Sequence, residues 1–262
     1  MAGRLAALAR PAAELVREGA FERLGGTRLG GDPDLPPGVD WPMRPAMDIA
    51  PLRVPWYKRL LYVEPDLEYL GAAQPMGFVA QVALAEMPPA VLADLGLPAT
   101  GLLSVFKEPH LTWPDSRSAV RLLYTEDLSD LAPRQPPLET VPRLATEPLR
   151  AVERLDLVPD ELLAAPGPVV LEGADHERYA DCFMAVMEGR AEDYPEKLGG
   201  WGDAVQGPVE AEASADAAGF SLKTPDDAAQ ERIAAAAFDW RVVFQFLQDE
   251  PVYSFCLHRD DI

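Results

Sequence analysis

Apolar residues along this chain fall into two kinds of run, each predicting a different element. GFVAQVALAEMP (77–88) is almost continuously apolar, with β-branched and aromatic side chains, which predicts a buried strand. GLLSVFKE (101–108) predicts a second strand. SAVRLLYTED (118–127) predicts a third, with Val120, Leu122 and Tyr124 alternating against Arg121 and Leu123. EPLRAVERLDLVP (147–159) alternates as an edge strand, while WRVVFQFLQDE (240–250) and VYSFCLHRDD (252–261) are two more apolar strands. Helical spacing is rarer. Leu5, Leu8, Ala12, Leu15 and Val16 share one stripe and predict a surface helix over 3–19. Tyr179, Phe183, Val186 and Met187 predict another over 175–189, with Asp175 as N-cap and Gly189 as stop. Shorter helices are expected from Pro159 and from Pro225 to about Ala237.

Between these elements one motif occurs twice. RLGGDPDLPPG (28–38) and KLGGWGDAVQG (197–207) share a basic residue first, then Leu-Gly-Gly, an Asp seventh and a Gly last. Glycine supplies positive φ and proline stiffness, so both read as structured loops. Each precedes an apolar strand with a central Gln, Gln81 or Gln245, and then a further strand. The repeated order predicts an α+β fold of mainly antiparallel sheet with peripheral helices, built as a pseudo-twofold internal duplication. A single domain over 1–262 would comprise two diverged halves, about 24–130 and 147–262, with a Pro-broken insertion at 44–75. Regular crossover helices between the strands are missing, which argues against a parallel doubly wound sheet.

Charge changes the picture most in the second half. The chain has 43 acidic and 23 basic side chains, a formal net charge of -20, which disfavours nucleic acid as a partner. Residues 151–262 hold 24 acidic and 8 basic groups, against 19 and 15 in residues 1–150. The only cysteines, Cys182 and Cys256, are far apart, and no secretory or membrane-spanning apolar run is present, which predicts a reduced, cytoplasmic protein without membrane association.

Catalytic signatures are missing: there is no Walker loop, GxSxG, HExxH or CxxC. His176, Cys182, Cys256 and His258 have spacings unsuited to a zinc site, so neither metal nor cofactor is expected. Asp32, Asp34 and Asp203 would repel a phosphate at the Gly-Gly loops; carboxylates bonding local backbone in tight turns are the better reading. Gln81 and Gln245 need partners if buried, either as a bridge between the halves or as the lining of a shared pocket. A ligand cleft between the halves would be lined by Trp41, Gln81, Trp201, Gln206 and Gln245. PWYKRLLY (55–62) interleaves basic and aromatic groups as interfaces do, through Trp56, Tyr57, Lys58, Arg59 and Tyr62.

RLGGDPDLPPGVDWP, PMGFVAQVALAEMP, GLLSVFKE, KLGGWGDAVQG, WRVVFQFLQDE and VYSFCLHRDD resemble, in that order, the YwqG-like family of bacterial proteins of unknown function. The resemblance spans roughly residues 24–261 and implies a cytoplasmic α+β fold with internal repetition, but no reaction. Some members are encoded near secreted toxins, which implies an immunity or partner-binding role. The excursion at 44–75 is longer than the resemblance leads one to expect. Together these features predict a non-enzymatic module docking a basic protein through its acidic C-terminal half, including Asp226, Asp227 and Glu231, or through the 55–62 segment. The alternative is a small-ligand binder or enzyme with a cleft between the halves.

Overall fold

A computed structural model describes residues 2–19, 23–50, 66–109, 119–190, 195–203, 207–220, 226–247 and 252–261. The chain opens with helix α1 (Ala2–Ala6) and strands β1 (Arg10–Arg17), β2 (Arg28–Leu29), β3 (Asp34–Leu35) and β4 (Met43–Arg44). Helix α2 (Leu67–Leu70), strands β5 (Gln74–Pro75) and β6 (Gly77–Ala83), and helix α3 (Pro89–Asp94) follow. Next come β7 (Leu102–Lys107), β8 (Val120–Thr125), β9 (Ala132–Pro133) and β10 (Glu147–Asp156), then α4 (Asp160–Leu163) and α5 (Gly173–Glu188). The last part holds β11 (Lys197–Gly199), α6 (Val209–Ala217), α7 (Asp227–Ala236), β12 (Trp240–Leu247) and β13 (Val252–His258).

These elements form two compact units, each discontinuous in sequence. Unit 1 contains Met1–Arg17, Leu84–Ala99 and Leu149–Ile262; unit 2 contains Glu18–Ala83 and Thr100–Pro148. In unit 1 the strand order is β13-β12-β11-β1-β10 and every pairing is antiparallel. Unit 2 has β2-β6-β7-β8, again antiparallel, with Glu147 and Pro148 at the start of β10 pairing to Leu29 and Arg28. The protein is thus mostly antiparallel sheet with helices. No helix among the described residues is long and apolar enough to cross a membrane.

The N-terminal segment corrects an expectation. Residues 3–19 do not form one helix: α1 stops at Ala6 and β1 begins at Arg10. Pro11 lacks the N–H that a helix interior requires, and β1 gains ladder bonds on both sides, to Leu149–Asp156 of β10 and to Lys197–Gly199 of β11. Tertiary pairing overrides the helical propensity of an Ala- and Leu-rich segment. Ala12, Ala13 and Leu15 are buried in the strand, while Leu5 and Leu8 still pack on the unit 1 core of Val158, Leu162, Leu163 and Trp201.

Helix α5 starts at Gly173, so Asp175 lies in its first turn rather than at the cap. Of its expected stripe, Tyr179 reaches the core and donates to the Val158 carbonyl at 2.8 Å, whereas Val186 is exposed. The segment 209–217, too polar to read as an amphipathic element, forms α6; its buried positions are Glu210 and Ser214. Unit 2 has its own core, where Leu35, Met76, Phe78 and Phe106 pack with Trp41.

Candidate functional site

The repeated motif builds two buried cells of matching geometry, one in each unit. In unit 2, Arg28 of β2 lies opposite Gln81 of β6; in unit 1, Lys197 of β11 lies opposite Gln245 of β12. The loop after each basic residue turns through two glycines in the left-handed region, Gly30 and Gly31 (φ 59° and 76°) or Gly199 and Gly200 (φ 74° and 79°). A side chain at Gly30 would collide with the Ala145 carbonyl, and one at Gly200 with the Asp156 carboxylate. The turn returns the chain so that the seventh residue, Asp34 or Asp203, faces the first. Arg28 meets Asp34 at 2.7 Å and Lys197 meets Asp203 at 2.7 Å.

Each glutamine closes its cell in the same way. Gln81 Oε1 accepts from the Asp34 N–H at 3.1 Å, and its Nε2 donates to Asp34 Oδ2 at 2.8 Å and to the Gly26 carbonyl at 2.9 Å. Gln245 Oε1 accepts from the Asp203 N–H at 2.8 Å, and its Nε2 donates to Asp203 Oδ2 at 2.8 Å and to the Pro195 carbonyl at 3.2 Å. A break in strand register precedes each Gln by the same interval, between Phe78 and Ala80 and between Val242 and Phe244. Such bulges re-aim side chains. Across the next strand pair Gln81 faces Ser104 and Gln245 faces Ser254. The amides therefore do not act as a bridge: these bonds stay inside each glutamine's own unit.

Electrostatics hold both cells closed. Burial alone would lift the Asp34 carboxyl, but Arg28, the Gly25 N–H and the Gln81 amide outweigh it and keep Asp34 below its ordinary value. Burial is also the largest influence on Asp203, where Lys197, Arg190 and the Gln245 amide together bring the carboxyl below its ordinary value. The unit 1 cell is larger: Lys197 also meets Asp156 at 2.9 Å, and Asp156 in turn meets Arg154 at 2.7 Å. With the Asp, Gln and basic side chains bonded to one another, such networks specify a geometry and offer little to a ligand.

An open groove lies elsewhere in unit 1. Helices α6 and α7 flank a groove of about 560 Å³. Ala211, Ala215 and Ile233 give it an apolar floor, and Glu212, Asp227 and Glu231 supply carboxylates. Among the described residues none of these three carboxylates makes an ion pair, unlike Asp34, Asp156 and Asp203. Partial burial raises the Glu212 carboxyl above its ordinary value, yet Glu212, Asp227 and Glu231 are all exposed and open to an incoming cation. The inner face of α6 is anchored by the fully buried Glu210, which accepts from the Gly202 N–H at 3.0 Å and meets Arg10 at 3.4 Å. Arg10 itself lies 3.3 Å from the centre of the Trp201 ring, and burial lowers its pKa to about 10.

The residues expected to line a ligand cleft have these places. Gln81 and Gln245 are fully buried in their cells, and Trp201 is 2% exposed, its Nε1 donating to the Leu8 carbonyl. Trp41 donates to the Met76 carbonyl at 2.8 Å and borders a depression of about 10 Å³, room for no more than a water. Gln206 lies outside the described residues, as do Trp56, Tyr57, Lys58, Arg59 and Tyr62. Of the acidic trio, Asp227 and Glu231 line the α6–α7 groove, while Asp226 caps α7 by accepting from the Ala229 N–H at 2.8 Å. Sequence reasoning missed Glu212, because α6 was not legible. It also missed that the first and seventh residues of each motif pair with one another, although their repeated opposite charge was a signal. Among the described residues no group of three His, Cys, Asp or Glu side chains is placed to hold a metal ion.

Antiparallel sheet with helices, two Gly-Gly cells of matching geometry and an acidic groove define a protein that is mostly antiparallel sheet. The chain belongs to the domain of unknown function family DUF1963, whose model matches residues 27–257. That span contains both Gly-Gly motifs, both glutamines and the helices that flank the groove. No curated protein matches the chain.

Proposed function

We propose that this protein is a non-enzymatic docking module, of the YwqG-like type within its family, which binds a basic segment of a partner protein in the α6–α7 groove of unit 1. The observation that carries the reading is the set of three carboxylates, Glu212, Asp227 and Glu231, without cationic partners among the described residues, around an apolar floor. A basic segment with small apolar side chains complements that groove in charge and in surface. The acidic excess of residues 151–262 steers such a partner towards it. The resemblance to the YwqG-like family adds an immunity-type role, in which the module occludes a basic working surface in the cytoplasm. The matched cells, with their shared basic-Asp-Gln geometry and equivalent bulges, favour descent of the two units from one duplicated ancestor.

The test is affinity capture of the tagged full chain, washed at low and high salt, beside the triple variant Glu212→Gln, Asp227→Asn and Glu231→Gln. A basic protein retained by the wild type, released by salt and lost from the folded variant is the expected result. Equal retention by both chains removes the groove from the function.

A further inference from the structure

The sheet of unit 1 ends in β13, and this end differs from the other sheet ends. In unit 2, β7 pairs with the Gln81 strand, as β13 pairs with the Gln245 strand. Strand β7 is then covered on its far side by β8, from Leu102↔Thr125 to Lys107↔Val120. Among the described residues no strand lies beyond β13. Exposed strand edges in natural proteins are commonly guarded by charge or proline. Strand β8, the edge of the unit 2 sheet, carries Arg121; β10, expected as an edge strand, is no edge, because it pairs with β1 and, at its start, with β2. VYSFCLH of β13 has no Lys, Arg, Asp, Glu or Pro.

We propose that β13 is a self-association edge: it pairs antiparallel with β13 of a second copy about a two-fold axis at Phe255. That register sets Val252 against His258, Tyr253 against Leu257 and Ser254 against Cys256 of the second copy. No pair of like charges faces across it, as a self-complementary contact requires. All seven positions except the already buried Phe255 are only half-buried, so each has surface left to cover. Tyr253 and Phe255 are held from behind by stacking on Phe246, at 5.2 and 5.7 Å between ring centres, which stiffens the strand before it pairs. Two chains of net charge -20 repel at long range, so salt strengthens this contact. Docking of a basic partner in the groove has the opposite salt dependence.

Sedimentation velocity of the purified full chain across a concentration series, at low and high salt, tests the edge. The expected result is a monomer–dimer equilibrium that shifts to dimer at high salt, and loss of the dimer in Leu257→Lys. Hydrogen exchange of the wild type, read at high and low protein concentration, locates the contact without any variant. Protection of 252–258 that grows with concentration supports the edge. A chain that stays monomeric throughout, or a dimer whose 252–258 amides exchange as in the monomer, overturns it.

Discussion

The two buried cells share a plan and differ in charge balance. In unit 2 the basic residue is an arginine facing Asp34, with the Gly25 N–H adding a third donor to that carboxylate at 2.7 Å. In unit 1 it is a lysine between two carboxylates, Asp156 and Asp203, with Arg154 and Arg190 restoring the balance. A planar guanidinium forks between Asp34 and the Asp32 carbonyl; a compact ammonium gathers ligands from several directions. The same backbone turn can therefore enclose either a local ion pair or the hub of a wider network, provided the Gln amide fixes the Asp.

The largest break in that comparison comes from removing the carboxylate. Asp34→Ala should destabilise the protein by about 3–5 kcal/mol, the usual cost of stripping a buried charge of its partner. Asp203→Ala should fall at the lower end, because Lys197 keeps Asp156 at 2.9 Å. Urea midpoints of the two variants give the comparison directly, and equal losses would deny the second carboxylate any buffering role.

A smaller effect sharpens the likeness between the cells. Gln81→Leu and Gln245→Leu each leave a buried Asp N–H unanswered, which costs about 1–3 kcal/mol. The two losses should agree closely, since the amide bonds match one for one. A clear difference in their urea midpoints would mean that the shared geometry conceals unequal roles.

The smallest effect is in acid. Asp34 and Asp203 are both held below their ordinary 3.8, so their contribution is complete above that pH and is lost as pH falls through the lowered values. Glu210 runs the other way: burial raises its carboxyl above 4.5, so its contribution is present below 4.5 and fades as pH rises through the raised value. Stability measured against pH should thus fall below pH 3.8 in the wild type and fall less steeply in Asp34→Asn.

How much of this was written in the sequence depends on whether the signal was local. The Gly-Gly loops were legible because left-handed backbone demands glycine at fixed places, and the strands of Gln81 and Gln245 because long apolar runs need no context. Strand β1 was not, since its conformation is set by β10 and β11, each far away along the chain. Helix α6 hid for another reason: its buried face is Glu210 and Ser214, satisfied or tolerated by tertiary partners, so hydropathy carries no stripe. The groove inherits that blindness, joining Glu212 to Asp227 and Glu231 only once two short helices have packed.

Two of the five tryptophans, one in each unit, sit in contrasting surroundings. Trp41 sits edge-on to Phe106 with its N–H on the Met76 carbonyl, and Trp201 sits edge-on to Phe238 with the Arg10 cation over its ring. A positive charge held against an indole shifts its emission, whereas the Trp41 ring meets Phe106 edge-on and its N–H meets a backbone carbonyl. Trp41 and Trp201 consequently sit in different surroundings for a structural reason, and with the other three of the chain's five tryptophans replaced by Phe they would report the folding of each unit separately without any added label.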